Sequence, residues 1–158
     1  MHKSLDQLEK EFSDLASLIK TNLPIPPPCF ATMKAEFIEY ESRKSLTVAF
    51  PVLPEHLNPG GTMQGGFITA AFDNVFGPLS YLAARGVCTS IDIHTQFVRG
   101  IEAGDTLTVT ATVVSRGTGT TYMTGEALNS ARKLVATAST NLLIVSKKEA
   151  SGDLTRTR

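Results

Sequence analysis

Near the start of the chain, apolar residues recur at three- and four-residue steps. In SLDQLEKEFSDLASLIK, residues 4–20, Leu5, Leu8, Phe12, Leu15 and the Leu18/Ile19 pair share one face with polar residues between them, which predicts an amphipathic helix. Ser4 stands where it can cap that helix. Prolines at 24, 26, 27 and 28 stop it, and LPIPPPCF predicts an extended spacer before the core. The pattern then changes period. TMKAEFIEYE and KSLTVAFPV cluster β-branched and aromatic residues on either side of the polar break ESRK, which predicts an antiparallel hairpin.

After a glycine-rich segment at 58–66, FITAAFDNVFGPLSYLAARG has the length of a helix and is apolar almost all round. Such a helix is expected in the interior, closed by Gly86 and kinked or interrupted after Asn74 by Pro78, which cannot donate a helix hydrogen bond. Beyond Thr89 the pattern returns to strands in SIDIHTQFVRG, DTLTVTATVVSRG, TYMTGEALNS and KLVATASTNLLIVS, each bounded by glycine, Asn-Ser or charge. The predicted order is helix, two strands, a buried central helix and four strands. Only the strands can cover that helix, so one antiparallel sheet must wrap it, an α+β architecture.

Composition narrows the function classes. The 158 residues suit one domain, and 42% apolar with 19% charged residues favours a globular chain over a disordered one. Fifteen basic and fifteen acidic side chains cancel, which removes the electrostatic motive for a nucleic-acid partner. Cys29 and Cys88 are far apart with no metal-ligand spacing, and read as free thiols in a reducing compartment. No apolar run approaches the roughly 18 to 20 residues that span a bilayer, and the N-terminus has neither signal-peptide order nor the acid-poor character of a transit peptide. Cytoplasmic localisation without a membrane partner is the expectation.

Residues 58–74, NPGGTMQGGFITAAFDN, carry the candidate chemistry. Gly65 and Gly66 open the central helix, where the first backbone N–H groups have no intrahelical acceptor and bear the positive end of the dipole. Glycine there lets a ligand oxygen approach the backbone. Asp73, two turns along a mostly apolar helix, needs a polar cavity or an interface to offset the cost of burying a carboxylate.

Asn58, the run Gln64-Gly65-Gly66 and Asp73, in that order and spacing, resemble the motif of the hotdog-fold acyl-CoA thioesterases, the branch similar to phenylacetyl-CoA and 4-hydroxybenzoyl-CoA thioesterases. TSIDIHTQFVRG is similar to the later strand of that family that carries a hydroxyl near the acid, here Ser90. The resemblance covers roughly residues 30–146 and implies a hotdog fold, an antiparallel sheet curled round the long helix, with an extra N-terminal helix. It divides the chain into an N-terminal helix and spacer at 1–29, the hotdog domain at 30–146 and a tail at 147–158. The implied activity is hydrolysis of an acyl-CoA to a free acid and coenzyme A, with no metal or redox cofactor and with coenzyme A as part of the substrate.

The resemblance also implies roles. The Gly65 N–H stabilises the oxyanion, and Asp73 acts as general base or nucleophile from the partner subunit of a homodimer or homotetramer. Asn58 and Ser90 hold the acid, the water or the carbonyl in register. Gln64 replaces the histidine frequent before the two glycines and cannot become a cation near neutral pH. Gly66, Phe76, Leu79 and Tyr81 are expected beside the acyl group, and Arg99 and Arg116, with Lys147 and Lys148, near the phosphates of coenzyme A. Thr95 and His94 read as plain strand residues, and His2 and His56 as residues of flexible ground. Two rival readings share the fold. One is a non-catalytic acyl-CoA binder; the other is a hydroxyacyl-thioester dehydratase, which needs a histidine–acid pair and finds no histidine in the helix motif.

Overall fold

A computed structural model describes residues 2–19 and 26–145. Helix α1 (His2–Ile19) is followed by a short helix α2 (Pro28–Thr32), strands β1 (Glu36–Glu41) and β2 (Ser45–Pro51), the long helix α3 (Gly65–Ala84), and strands β3 (Cys88–Phe97), β4 (Thr106–Arg116), β5 (Thr120–Leu128) and β6 (Leu134–Ile144). All strands join one antiparallel sheet in the order β1-β2-β4-β5-β6-β3. The fold is the expected hotdog, with α3 packed on the sheet and α1 added at the N-terminus.

Strict alternation explains which face of the sheet meets α3. Leu46, Val48 and Phe50 on β2 and Leu107, Val109 and Ala111 on β4 are essentially inaccessible, while the threonines between them face outward. From the helix, Phe72, Val75, Phe76 and Leu79 fill the space above them with no exposed surface. Close approach depends on one glycine. A Cβ at Gly125 of β5 would lie 2.9 Å from the ring of Phe72 and 3.1 Å from that of Phe76. The two stacked rings, 5.9 Å between centroids, therefore rest directly on sheet backbone.

Several local expectations are corrected. Ser4 lies inside α1, which starts at His2, so it is not the cap. Within the proline segment Pro27 is extended (φ −70°, ψ 156°), but Pro28 opens α2, because the missing N–H of a first-turn proline has no helical acceptor to lose. Pro78 does not interrupt α3, which runs unbroken through it for 20 residues. The left-handed residue closing α3 is Arg85 (φ 54°) rather than Gly86, whose N–H instead bonds the Tyr81 carbonyl at 3.2 Å. His56 is not in flexible ground: it is 4% exposed in a 3-10 turn (Pro54–His56), and its ring lies 4.6 Å from that of Phe67. Pro24 and the segment from residue 146 on, with Lys147 and Lys148, lie outside the described residues.

Helix α1 docks through its apolar face, with Leu8, Phe12 and Leu15 each less than 10% exposed. Its polar side is tied down at one point. The Glu11 carboxylate accepts hydrogen bonds from Tyr40 Oη (2.8 Å), Ser42 Oγ (2.6 Å) and Gln7 Nε2 (3.1 Å). Burial opposes its charge, but the bonds from Ser42, Tyr40 and Gln7, with Arg43 nearby, outweigh burial and hold its pKa below the ordinary value. Burial, with the carboxylate beside it, pushes the Tyr40 phenol up to about 12.

Candidate active site

Ser90 and Asp73, seventeen residues apart in sequence, meet in space. Ser90 Oγ donates to Asp73 Oδ1 at 3.2 Å, the only hydrogen bond to Asp73 among the described residues. The meeting depends on a β-bulge. The β3–β6 register shifts between Ser90 and Asp92, and the extra residue re-aims Ser90 toward the helix while leaving Ile91 59% exposed. Asp92 pins that bulge: its carboxylate accepts from the Asn141 backbone N–H and from Asn141 Nδ2, both at 3.1 Å, and its carbonyl accepts from Thr140 Oγ1 at 2.6 Å. Three residues beyond Asp92, Thr69 Oγ1 donates to Thr95 Oγ1 at 3.1 Å and ties the same strand to α3.

The start of α3 is built differently from the expectation for Gln64. Its side-chain Oε1 accepts from the Gly66 N–H at 2.7 Å, so Gln64 is the N-cap of α3. A Cβ on Gly66 would approach that oxygen to 2.7 Å, so the second glycine makes room for the cap. The Gly65 N–H has no partner among the described residues and remains the open donor of the first turn. Phe97 lies across it, its ring tip 2.8 Å from where a Cβ of Gly65 would stand. The carbonyl of buried His56 accepts from the Gln64 N–H at 2.8 Å, fixing the residue before the helix.

Asn58 is engaged within its own loop. Its Oδ1 accepts from the N–H groups of Gly60 (2.8 Å) and Thr62 (3.3 Å), and its Nδ2 donates to Thr62 Oγ1 at 3.1 Å. It shapes the glycine loop that leads into α3.

Asp73 and Ser90 stand at the wall of a cavity of about 450 Å³ lined mostly by apolar groups, among them Phe12, Leu15, Pro27, Phe37, Pro78 and Leu142. Tyr81 lines it, whereas Phe76 and Leu79 do not: both are fully buried toward the sheet, on the opposite side of α3. Burial, then Cys88 and Asp73, push the Tyr81 phenol upward, so it remains a hydroxyl donor near neutral pH. Both thiols are free and line the same cavity, Cys29 exposed and Cys88 buried. Burial pushes the Cys88 thiol up. Asn74, 9% exposed, accepts from Cys29 Sγ at 3.2 Å and donates to Met33 Sδ at 3.3 Å.

The arginines part company. Arg116 ends β4 close enough to Cys88 to act on its thiol, and Arg99 follows β3 beside Gly100, which packs on Thr62 near the glycine loop. Both are exposed. His94 lines a depression on the threonine-rich outer face, 4.0 Å from Asp92. Among the described residues no group of His, Cys, Asp and Glu gathers as metal ligands, and no helix is long and apolar enough to cross a membrane.

Sequence reading missed Cys29, Asn74 and the α1 residues of the cavity. The signal was present in the apolar face of α1 and in the PPPCF run, but which helix face that run would meet is a tertiary fact.

The thioesterase superfamily model matches residues 60–136. Among solved structures, the E. coli PaaI protein from the phenylacetic acid degradation operon superposes with a TM-score of 0.74 at 21% identity, covering 87% of this chain and 95% of that one. A phenylacetic acid degradation-related protein of Ralstonia eutropha gives 0.70 at 25% identity, over 82% and 98%. The smu.793 protein of Streptococcus mutans, solved bound to acetyl CoA, gives 0.67 at 20% identity, over 71% and 89%. A search of curated proteins finds no match. The chain has the hotdog fold, and across residues 60–136, which hold the Gln-Gly-Gly helix start, Asp73 and Ser90, it matches the thioesterase superfamily.

Proposed function

We propose that the protein is an acyl-CoA thioesterase, with Asp73 as its catalytic carboxylate. The observation that carries this reading is the Ser90–Asp73 hydrogen bond at the wall of an apolar cavity. One oxygen of Asp73 is oriented by the serine and the other is left for water, the arrangement hydrolysis needs. The carboxylate draws a proton from that water as its oxygen attacks the thioester carbonyl, or attacks directly and is released by water; in either case the C–S bond breaks and coenzyme A leaves as the thiol. The acetyl CoA held by the Streptococcus mutans relative supports coenzyme A as the thiol portion, and exposed Arg99 and Arg116 are suited to its phosphates.

The Gly65 N–H is the oxyanion donor of this reading. Gly65 and Asp73 are eight residues apart on one helix, about 12 Å at the rise of an α-helix. Reacting atoms must approach to about 3 Å, so one carbonyl cannot reach both groups of the same chain. A second copy supplies the missing half. Edge strand β3, bonded among the described strands only to β6, presents Ser90, Ile91, Gln96 and Phe97 to such a partner. This favours a homodimer as the smallest active unit, alone or within a homotetramer.

A thiol-trapping assay over a panel of acyl-CoA esters tests the proposal. Asp73→Ala is expected to lose at least a hundredfold in kcat while retaining its fold by circular dichroism. Hydrolysis by Asp73→Ala at the parental rate would refute the mechanism, and binding without turnover in the parent would turn the reading to a binding protein.

A further inference from the structure

The cavity beside Asp73 has a wall that the central helix and sheet do not provide. Phe12, Leu15 and Ala16 of α1 and the corner Pro26–Cys29 form it. That wall is anchored. Leu8, Phe12 and Leu15 are buried, Glu11 is clamped by Tyr40 and Ser42, and the corner is joined to α3 through Cys29 Sγ and Asn74 Oδ1 at 3.2 Å, one residue from Asp73. Asp73 is the one charged group among the described lining residues, and it stands beside Ser90.

We propose that this cavity holds the acyl group of the substrate, that the group is neutral and apolar, and that α1 with the Pro26–Cys29 corner sets its length. The assignment rests on the thioesterase reading, because it takes Asp73 and Ser90 to mark where the thioester carbon lies. Capacity follows from volume. At roughly 30 Å³ per water-sized group, 450 Å³ admits about fifteen non-hydrogen atoms, so an acetyl group leaves most of the cavity unfilled and an octanoyl chain fits. Burying each further methylene there is worth about a threefold to fourfold gain in kcat/KM. A terminal carboxylate, as in a succinyl group, would be driven into an apolar wall with no cation among its described lining residues.

Two measurements separate this inference from the thioesterase reading. In the first, kcat/KM is expected to rise at least tenfold from acetyl-CoA to octanoyl-CoA, with succinyl-CoA near the bottom. Ala16→Phe, which fills the α1 side, is expected to lower the octanoyl to acetyl ratio at least tenfold. The second needs no turnover. S-octyl-coenzyme A, a thioether that cannot be hydrolysed, is expected to slow iodoacetamide alkylation of Cys29 at least fivefold, followed by mass spectrometry with Cys29→Ser as the control, while coenzyme A alone does not. Hydrolysis with no chain-length preference and unprotected Cys29 would overturn the wall assignment and leave the thioesterase standing. Protection of Cys29 without hydrolysis of any ester would overturn the thioesterase and support the cavity assignment. Failure of S-octyl-coenzyme A to bind would overturn the cavity assignment, and joined to a lack of hydrolysis of every ester it would overturn both.

Discussion

Gln64 shows how a residue's role changes once its partner is known. By type it is a neutral stand-in for a histidine; by position it is the cap of α3, holding the Gly66 N–H at 2.7 Å. The cap engages the second amide and leaves the first, on Gly65, open for an incoming carbonyl oxygen. Gln64→Ala is therefore expected to lower stability by about 0.5–2 kcal/mol, the ordinary cost of an N-cap, as read by urea denaturation. Gln64→Asn, with a shorter amide, is expected to recover part of that loss. An unchanged midpoint in Gln64→Ala would mean that the cap contributes nothing. Gly66 has the complementary role, since any side chain there would meet the capping oxygen. Sequence identified the open helix end correctly from two glycines, but could not tell which amide was spoken for.

The elements differ in how readily they could be read. Strands β2 and β4 alternate so regularly that their buried face was legible position by position. Helix α1 was equally legible as a helix, whereas its purpose was not, because its apolar stripe fits any apolar surface. The Glu11 cluster gives α1 a pH-dependent anchor. Glu11 has a folded pKa held below its ordinary 4.5, so its contribution to docking is complete above that value and is lost as pH falls through the folded pKa. Glu11→Gln is expected to be less stable than the parent at about pH 7, with the difference shrinking toward about pH 3, as thermal melts of the two proteins would show. A difference that stayed constant with pH would show that the carboxylate's charge does not anchor the helix. Because α1 walls the cavity, loss of this anchor is expected also to weaken the proposed discrimination by acyl length.

At the scale of the whole molecule, the proposed roles of Gly65 and Asp73 make a specific demand on assembly. Gly65→Pro removes the proposed oxyanion donor at a position that suits proline, the first residue of α3 following an extended Gln64 (φ −65°, ψ 136°). Its ring would displace only the exposed tip of Phe97. Alone, this variant is expected to lose about a hundredfold to a thousandfold in kcat, the usual effect of deleting such a donor. Unfolded together and refolded with Asp73→Ala, it is expected to recover about a quarter of parental activity, since half of the dimers are mixed and each mixed dimer has one intact site of two. Recovery confined to the level of the separate variants would show that each site is built from one chain.

By itself the sequence determined the periodic features: which segments are strands, which helix is buried, where that helix begins, and that an acid stands two turns along it. These follow from local steric preferences and from the separation of apolar and polar faces, which act over a few residues. The tertiary structure decided what depends on distant residues meeting: that Ser90 reaches Asp73 through a bulge pinned by Asp92 and Asn141, that Pro78 is absorbed without a break, and that α1 and Cys29 close the cavity. These outcomes are set by packing against a common core, and no periodicity within a single segment records them.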